Sequence, residues 1–377
     1  MPHLFSPLSI GGLEFPNRIA VAPMCQYSAA DGSATDWHMQ HWMTLAMSGA
    51  GMVTIEATAV ERRGRITHGC LGLYSDENEA AARRTLDAAR RVAPEGTRFG
   101  IQLAHAGRKA SNRMPWVGGG PLKPGEDPWQ TIGPSEIPFD QGWNVPTPLD
   151  VDGILRIMDA FVQAAKRAER AGFDFVELHG AHGYLIHEFL SPFSNKRDDE
   201  YGGPLQNRMR LILDVARAVR AVLPKRMMVG ARLSASEWTE GGFSPDEAVV
   251  VARALKDAGI GYVCASSGGN WAKSQSMIPI APLYQLPFAE KIRREAGIVT
   301  RAVGLITEPE QADAIVAEGK ADVVALARAM LADPRWPWRA AAALGHEIKA
   351  PRQYLRAVPT MTRWAAPSAK PKQASAA

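Results

Sequence analysis

Cysteine is scarce in this chain. Only Cys25, Cys70 and Cys264 occur among 377 residues, with no close spacing, which rules out a cysteine-rich cluster or zinc ribbon and fits a reducing cytosol. Long hydrophobic runs are missing as well: nowhere do about eighteen apolar residues follow one another. Met1 to Ile10 lacks a basic start followed by an apolar stretch, so the expected protein is neither exported nor membrane-spanning, and its expected place is the cytoplasm. Charge of one sign is lacking too. Lys and Arg number 43 against 39 Asp and Glu, a formal +4 with no block of like charges, which argues against a nucleic-acid partner.

What is present is a large core and many loops, with 46% hydrophobic residues, 34 Gly and 27 Pro. The chain exceeds the usual single-domain length, yet barrels of alternating strands and helices often run past 250 residues as one unit. The stretch that organises the rest is His179-Gly180-Ala181-His182-Gly183-Tyr184, at the end of the apolar-rich run Phe173 to Leu178. Such a run reads as a buried strand, and the glycines after it end the strand in a tight loop. Two imidazoles three positions apart can converge on one oxygen as donors, and a phenol two residues on can supply a proton from nearly the same direction. A metal half-site and a pair of structural histidines are equally open for the hexapeptide by itself.

In chain order, Leu8–Ile10 and Leu13–Phe15 around Gly11-Gly12 predict a hairpin, expected to cap a barrel mouth. Strands are predicted at 18–22, 52–57, 99–104, 173–178, 229–233, 261–266, 298–303 and 323–326. Helices are predicted at 36–48, 77–92, 150–171, 206–223, 308–318 and 336–344, and a further one from the capping box Ser244-Pro245-Asp246-Glu247 to Ala258. Strict alternation closes into a parallel (β/α)8 barrel of the TIM type. Residues 108–148 break the rhythm after the third strand with glycines, prolines and Trp116, Trp129 and Trp143. A loop that long is usually functional, so its expected place is over the substrate mouth or at a subunit contact. Residues 1–358 are expected to form one domain and 359–377 an extension, too polar to pack from about 367.

Sites in this fold lie at the carboxyl ends of the strands. Cys25, Ala57, Gln102, His179, Arg232, Ser266 and Gly304 fall there. Period-two alternation sets polar groups beside small neighbours, Gln102 with Gly100 and Arg232 with Gly230, which suggests a flat ligand across the barrel top. Gly304 after the seventh strand and the short helix opened by Ala327-Arg328-Ala329-Met330 match the phosphate site of many barrels. A helix-start arginine paired with a carboxylate is the plainer reading of Arg328. Likewise Cys25 can be a small core residue, Arg232 an ion-pair partner of Glu177, and Gln102 a polar layer residue.

These residues carry a resemblance. Ala22-Pro23-Met24-Cys25-Gln26-Tyr27, Ile55-Glu56-Ala57, Gln102-Leu103, His179 to Leu185, Ser191 to Gly203 and Ala327-Arg328 resemble the Old Yellow Enzyme family, nearest its bacterial thermophilic-like branch typified by xenobiotic reductases, over residues 3–358. The resemblance implies non-covalent FMN, NADPH or NADH as reductant, and reduction of activated C=C bonds. Carried over residue by residue, Ala22, Pro23, Met24, Cys25, Ala57, Gln102, Arg232, Ala327 and Arg328 would contact FMN, joined by Gly304 from the phosphate-site reading. His179 and His182 would bind the substrate's carbonyl oxygen, Tyr27 would line the pocket and Tyr184 would donate the proton. Relatives often have glycine where Ala327 stands. The branch forms homodimers or homotetramers in which a C-terminal arginine reaches the neighbour's site, and Arg356 is the best match. No metal is implied. Trp271 is either a lid or a packed loop anchor. The larger dienoyl-CoA reductases share the barrel but add an iron–sulfur cluster and a second nucleotide domain, for which this chain has too few cysteines and too little length. Two other classes are weighed against the reductase: a metal-dependent barrel hydrolase using His179, His182 and Glu177, distinguished by stoichiometric zinc without colour, and an idle flavin-binding protein, yellow but unable to oxidise NAD(P)H with an enone.

Overall fold

The structure, a computed structural model, describes residues 1–365. Strands β1 (Leu8–Ile10) and β2 (Leu13–Phe15) form an antiparallel hairpin, and β3 (Ile19–Val21), β4 (Met52–Ala59) and β5 (Arg98–Ala104) begin a barrel. Two residue pairs, β6 (Ile132–Gly133) and β7 (Thr147–Pro148), couple within the long loop. The barrel continues with β8 (Phe175–Gly180), β9 (Met228–Ser234), β10 (Tyr262–Ser266), β11 (Val299–Ala302) and β12 (Val323–Leu326), and β12 pairs with β3 to close it. All eight barrel pairings are parallel.

Helices α1 (Asp36–Ala46), α2 (Asp76–Val92) and α3 (Val151–Ala171) follow β3, β4 and β5. After β8 come three pieces, α4 (Leu185–Leu190), α5 (Leu205–Arg208) and α6 (Arg210–Val222), so the single helix expected over 206–223 is divided at Met209. The remainder are α7 (Pro245–Asp257), α8 (Leu286–Ala296), α9 (Pro309–Ala317), α10 (Arg328–Ala332), α11 (Trp336–Ala343) and α12 (Val358–Ala365). The Ser244 and Glu247 side chains exchange hydrogen bonds with each other's backbone, which satisfies two otherwise orphaned N–H groups and starts α7 there. Asp150 does half of that for α3, accepting from Gly153 N at 2.6 Å. Helix α12 packs through Val358 and Met361 on Trp338 and Ala341. The tail expected from about 367 lies outside the described residues.

The hairpin sits at the opposite end from its expected place. Ile10, Leu13 and Phe15 pack with Ala20, Met52, Phe175 and Met228, which stand at or near the amino-terminal ends of their strands. The hairpin is therefore the floor of the barrel and takes no part in covering its mouth. The small residues also have another cause than a flat ligand. A Cβ on Gly100 would lie 2.0 Å from the Phe175 ring and one on Gly230 2.2 Å from the Tyr262 ring, so these glycines make room for aromatic rings inside the barrel.

Above that apolar plug lies a polar layer. Glu177 and Arg301, both fully buried, pair at 3.0 Å, while Glu177 also accepts from Gln102 Nε2 and from the Tyr262 hydroxyl, each at 2.8 Å. The arginine paired with Glu177 is thus Arg301, and Arg232 is left for the mouth.

Candidate active site

Two loops build the centre of the mouth, and their backbones touch. A Cβ on Gly183 would lie 2.2 Å from Gly269 O, and one on Gly269 2.5 Å from His182 Cα. Only glycine permits that approach, and Gly183 and Gly269 have φ of +74° and +93°, where it is also free of strain. Lys109 straps the two loops together, its Nζ donating to His182 O and Gly269 O at 2.9 Å each. His182 itself is held at φ +60°, a cost a non-glycine residue bears only when its surroundings fix it. His182 N donates to Ser234 Oγ at 2.9 Å and Gly183 N to His187 Nδ1 at 2.9 Å, which fix the turn from below.

The two rings stand at 89° with centroids 5.1 Å apart, and the Tyr184 ring meets His179 edge-on at 4.9 Å. Ala181 N donates to His179 Nδ1 at 3.3 Å, so the neutral ring carries its proton on Nε2 and is a donor there. His182 Nε2 lies 2.7 Å from Ser266 Oγ. Ser266 Oγ also lies 3.3 Å from Gln285 Oε1, the farther of its two acceptors, and with its one proton given to the nearer His182 Nε2 the imidazole carries its own on Nδ1, the free edge of the ring. Burial, then the charge of Arg232, keeps both imidazoles far below their usual pKa and hence neutral. Burial raises the Tyr184 phenol well above its ordinary value, so it remains protonated.

Arg232 has no counter-charge among the described residues. Its one hydrogen bond among the described residues runs from Nη2 to Ser266 Oγ at 3.5 Å, and its buried Nε has no partner. An arginine stays ionised, so an orphaned guanidinium N–H at the mouth asks for an anionic or acceptor ligand. Beside it opens a cavity of about 630 Å³, lined by Arg232, His182 and Ser266, by Val303 to Thr307 and by Ala325 to Ala329. This volume falls within the range of small-molecule and cofactor sites. Gly304 (φ +129°) and the start of α10 both lie on its wall, and a Cβ at Gly304 would meet Gln285 Nε2 at 3.1 Å.

On the other side of the histidines lie Cys25, Tyr27 and Tyr184. The Cys25 thiol is raised by burial and then by Cys70 and Glu56. The Tyr27 phenol is raised by burial, then by Cys25 and Tyr184. Burial first, and the nearness of Cys25 to both phenols second, keep a thiol and two phenols uncharged. Glu56 holds this segment: it sits at a register shift between Ile55 and Ala57, and the bulge lets it turn out of the ladder to accept from Gln26 N at 2.7 Å. Tyr27 is left at φ +49° with Trp116 edge-on at 5.7 Å.

The structure thus gathers Ala22, Pro23, Met24, Cys25, Tyr27, Ala57, Gln102, His179, His182, Tyr184, Arg232, Gly304, Ala327 and Arg328 at one end of the barrel, in the last residues of its strands or just past them. Arg356 stands apart, exposed on the 3-10 turn Arg352–Ala357 and outside the cavity. Phe139 and Trp143 bring the long loop onto the cavity wall, so that loop covers the mouth. Trp271 stacks on Phe193 at 5.8 Å and 30°. Sequence reasoning missed Lys109, Ser266's grip on His182, and Gln285, which accepts from Ser267 Oγ at 2.7 Å and donates to Val303 O at 3.1 Å, tying β10 to β11. Burial holds the Lys109 ammonium down to about 8. The hydrolase reading loses a ligand, since Glu177 is engaged in the layer below.

Comparison with known proteins agrees with this geometry. The model of the NADH:flavin oxidoreductase / NADH oxidase family matches residues 3–347. An NADPH dehydrogenase of Listeria innocua is 42% identical over 359 residues, covering 95% of this chain and 99% of that protein. An NADPH dehydrogenase of Geobacillus sp. is 43% identical over 355 residues, 94% and 98% of the two chains. Among solved structures, morphinone reductase in complex with tetrahydroNAD superposes with a TM-score of 0.74 at 27% identity, covering 96% and 94%. An old yellow enzyme homologue from Zymomonas mobilis gives 0.74 at 26%, covering 90% and 92%.

Proposed function

We propose, for a chain that belongs to the NADH:flavin oxidoreductase / NADH oxidase family and there to the Old Yellow Enzymes, that its substrates are activated alkenes: α,β-unsaturated ketones, aldehydes and imides, and nitroalkenes. The chain is an FMN-dependent NAD(P)H oxidoreductase. When bound, FMN supplies the two-electron relay that accepts hydride from NAD(P)H and returns it to an alkene.

The residues present fit such a group. The orphaned Arg232 Nε suits the acceptor edge of a flavin and the negative charge it gains on reduction. Gln102 offers an amide to the pyrimidine edge, and Gly304, Ala327 and Arg328 line the end of the cavity where a phosphate would lie. Ala22, Pro23, Met24, Cys25 and Ala57 would complete the contact. The alanine at 327 requires a methyl-width more room than a glycine would.

The observation that carries the substrate class is the perpendicular pair of neutral imidazoles edged by a protonated phenol. Two N–H donors, His179 Nε2 and His182 Nδ1, hold a carbonyl or nitro oxygen and gain strength as negative charge develops on it, which withdraws electrons from the β-carbon. Tyr184 then gives its proton to the α-carbon and recovers one from solvent. Tyr27 bounds the pocket. The nicotinamide and the alkene take turns in one site, so steady-state kinetics are ping-pong. Anaerobic turnover of cyclohexenone with NADPH tests this: one cyclohexanone per NADPH is expected, and NADPH oxidation that the enone does not stimulate would overturn it.

A further inference from the structure

The geometry assigns Glu177 a role toward the cofactor: it is the positioning residue that fixes which end of the Gln102 amide faces the flavin. This rests on FMN occupying the mouth. Gln102 and Glu177 are register partners on β5 and β8, and Gln102 Nε2 donates to Glu177 Oε1 at 2.8 Å. A glutamine amide is nearly symmetric in shape, and only its partners decide which way round it sits. A carboxylate can only accept, so the partner it turns toward itself is the NH₂ end.

The carboxylate is itself held from the other side. Its Oε2 accepts from the Tyr262 hydroxyl at 2.8 Å and from Arg301 Nη1 at 3.0 Å. Arg301 Nη1 also donates to Tyr262 at 2.7 Å, and its Nη2 to Thr54 Oγ1 at 3.2 Å. Thr54, Gln102, Glu177, Tyr262 and Arg301 come from five of the eight barrel strands. Packed apolar side chains would fill this space with no loss of stability, because a buried ion pair roughly cancels its own desolvation. What an apolar layer could not do is orient an amide. Gln102 Oε1 makes no hydrogen bond among the described residues, so the acceptor end and the second N–H of the NH₂ group remain for a ligand.

The pyrimidine edge of a flavin alternates carbonyl acceptor, N3–H donor and carbonyl acceptor. Against that edge the order of O and NH₂ matters: the correct order makes two hydrogen bonds and the reversed order opposes like groups. Glu177→Gln keeps the shape, but its oxygen stays with the donors Arg301 and Tyr262 and its NH₂ turns toward Gln102, so the preference is reversed.

The test is a double-substitution cycle on the holoenzyme, with Glu177→Gln, Gln102→Ala and both together. FMN dissociation is read by fluorescence, and the N3 resonance of nitrogen-15-labelled FMN reports on the hydrogen bond itself. Each single substitution is expected to weaken FMN about tenfold and to move the N3 resonance, and the pair to do no more than Gln102→Ala does. Additive effects, or an unmoved resonance in Glu177→Gln, would make Glu177 merely structural and overturn the inference. Should Glu177→Gln fail to fold, Glu177→Leu with Arg301→Met removes both charges and is expected to fold with the same loss; wild-type affinity in that pair overturns the inference. A wild-type protein that takes up no FMN refutes the cofactor reading, a result distinct from either.

Discussion

Replacing Tyr184 by Phe removes one oxygen atom and, with it, the proposed acid. The ring stays edge-on against His179 at 4.9 Å, and the hydroxyl has no hydrogen-bond partner among the described residues, so nothing is left unsatisfied by its loss. Stability should change by less than about 1 kcal/mol, within about 2 °C of melting temperature for a chain of this size. A positioned general acid is worth about 10² to 10⁴ in rate, so a thousandfold loss, about 4 kcal/mol of barrier, is expected in enone reduction. Reduction by NADPH needs no proton delivered to carbon and should stay within about twofold. Anaerobic stopped-flow absorbance at the flavin band measures the two half-reactions separately. Equal loss in both, or none with the enone, would refute the assignment. Tyr27 is close enough to Tyr184 for that phenol, after burial and Cys25, to help hold it protonated. If it serves as a substitute acid, Tyr27→Phe added to Tyr184→Phe lowers the residual rate further.

Arg301→Met leaves the fully buried Glu177 carboxylate unpaired, which should cost about 3 to 5 kcal/mol and lower the melting temperature by roughly 4 to 6 °C; adding Glu177→Leu should restore most of it, and no recovery would contradict the ion-pair account. Burial holds His187 down to about 3, so below its ordinary value near 6.5 the unfolded chain takes up a proton that the fold refuses, and stability falls with pH from about 6.5 toward 3. Glu188, raised by burial to about 8, works in the opposite sense between about 8 and 4.5, so the comparison is wild type with His187→Asn: denaturation curves should diverge by about 1.4 kcal/mol per pH unit below 6.5, and parallel curves would refute it. Because His179 and His182 stay neutral well below their usual range, enone affinity should show no break between pH 7 and 5.5. If the chain assembles with Arg356 reaching a neighbouring site, Arg356→Ala should weaken enone binding without changing the melting temperature, since the side chain is exposed within one chain; unchanged affinity, or a protein that runs as a monomer by size-exclusion chromatography, removes that reach.

Much of this architecture was legible because it is written in local signals. The capping box at Ser244, the cap at Asp150 and the buried runs at β8, β9 and β12 each name their element without tertiary help. The helix α8 escaped notice because its core face has only Leu286, Ala289, Ile292 and Ala296, a weak period beside five charged residues. The hairpin's end of the barrel could not be read from Leu8 to Phe15, since either rim offers an apolar surface. Among site residues, His179, His182, Tyr184 and Arg232 declare themselves at strand ends. Arg301 does not: in Ile298 to Val303 it looks like a solvent-facing position, and only closure of the barrel turns it inward to Glu177. Lys109 lies in a segment without period, and its role as a strap depends on two loops some 70 and 160 residues away along the chain.

The central claim is that FMN in this mouth cycles between a nicotinamide and an activated alkene. A visible spectrum of the purified protein supplied with FMN, taken anaerobically before NADPH, after NADPH and again after cyclohexenone, tests it most directly. The flavin absorbance is expected to be present, to bleach, and to return. A colourless protein that takes up no added FMN, or a flavin that bleaches and stays bleached with the enone present, would contradict the account.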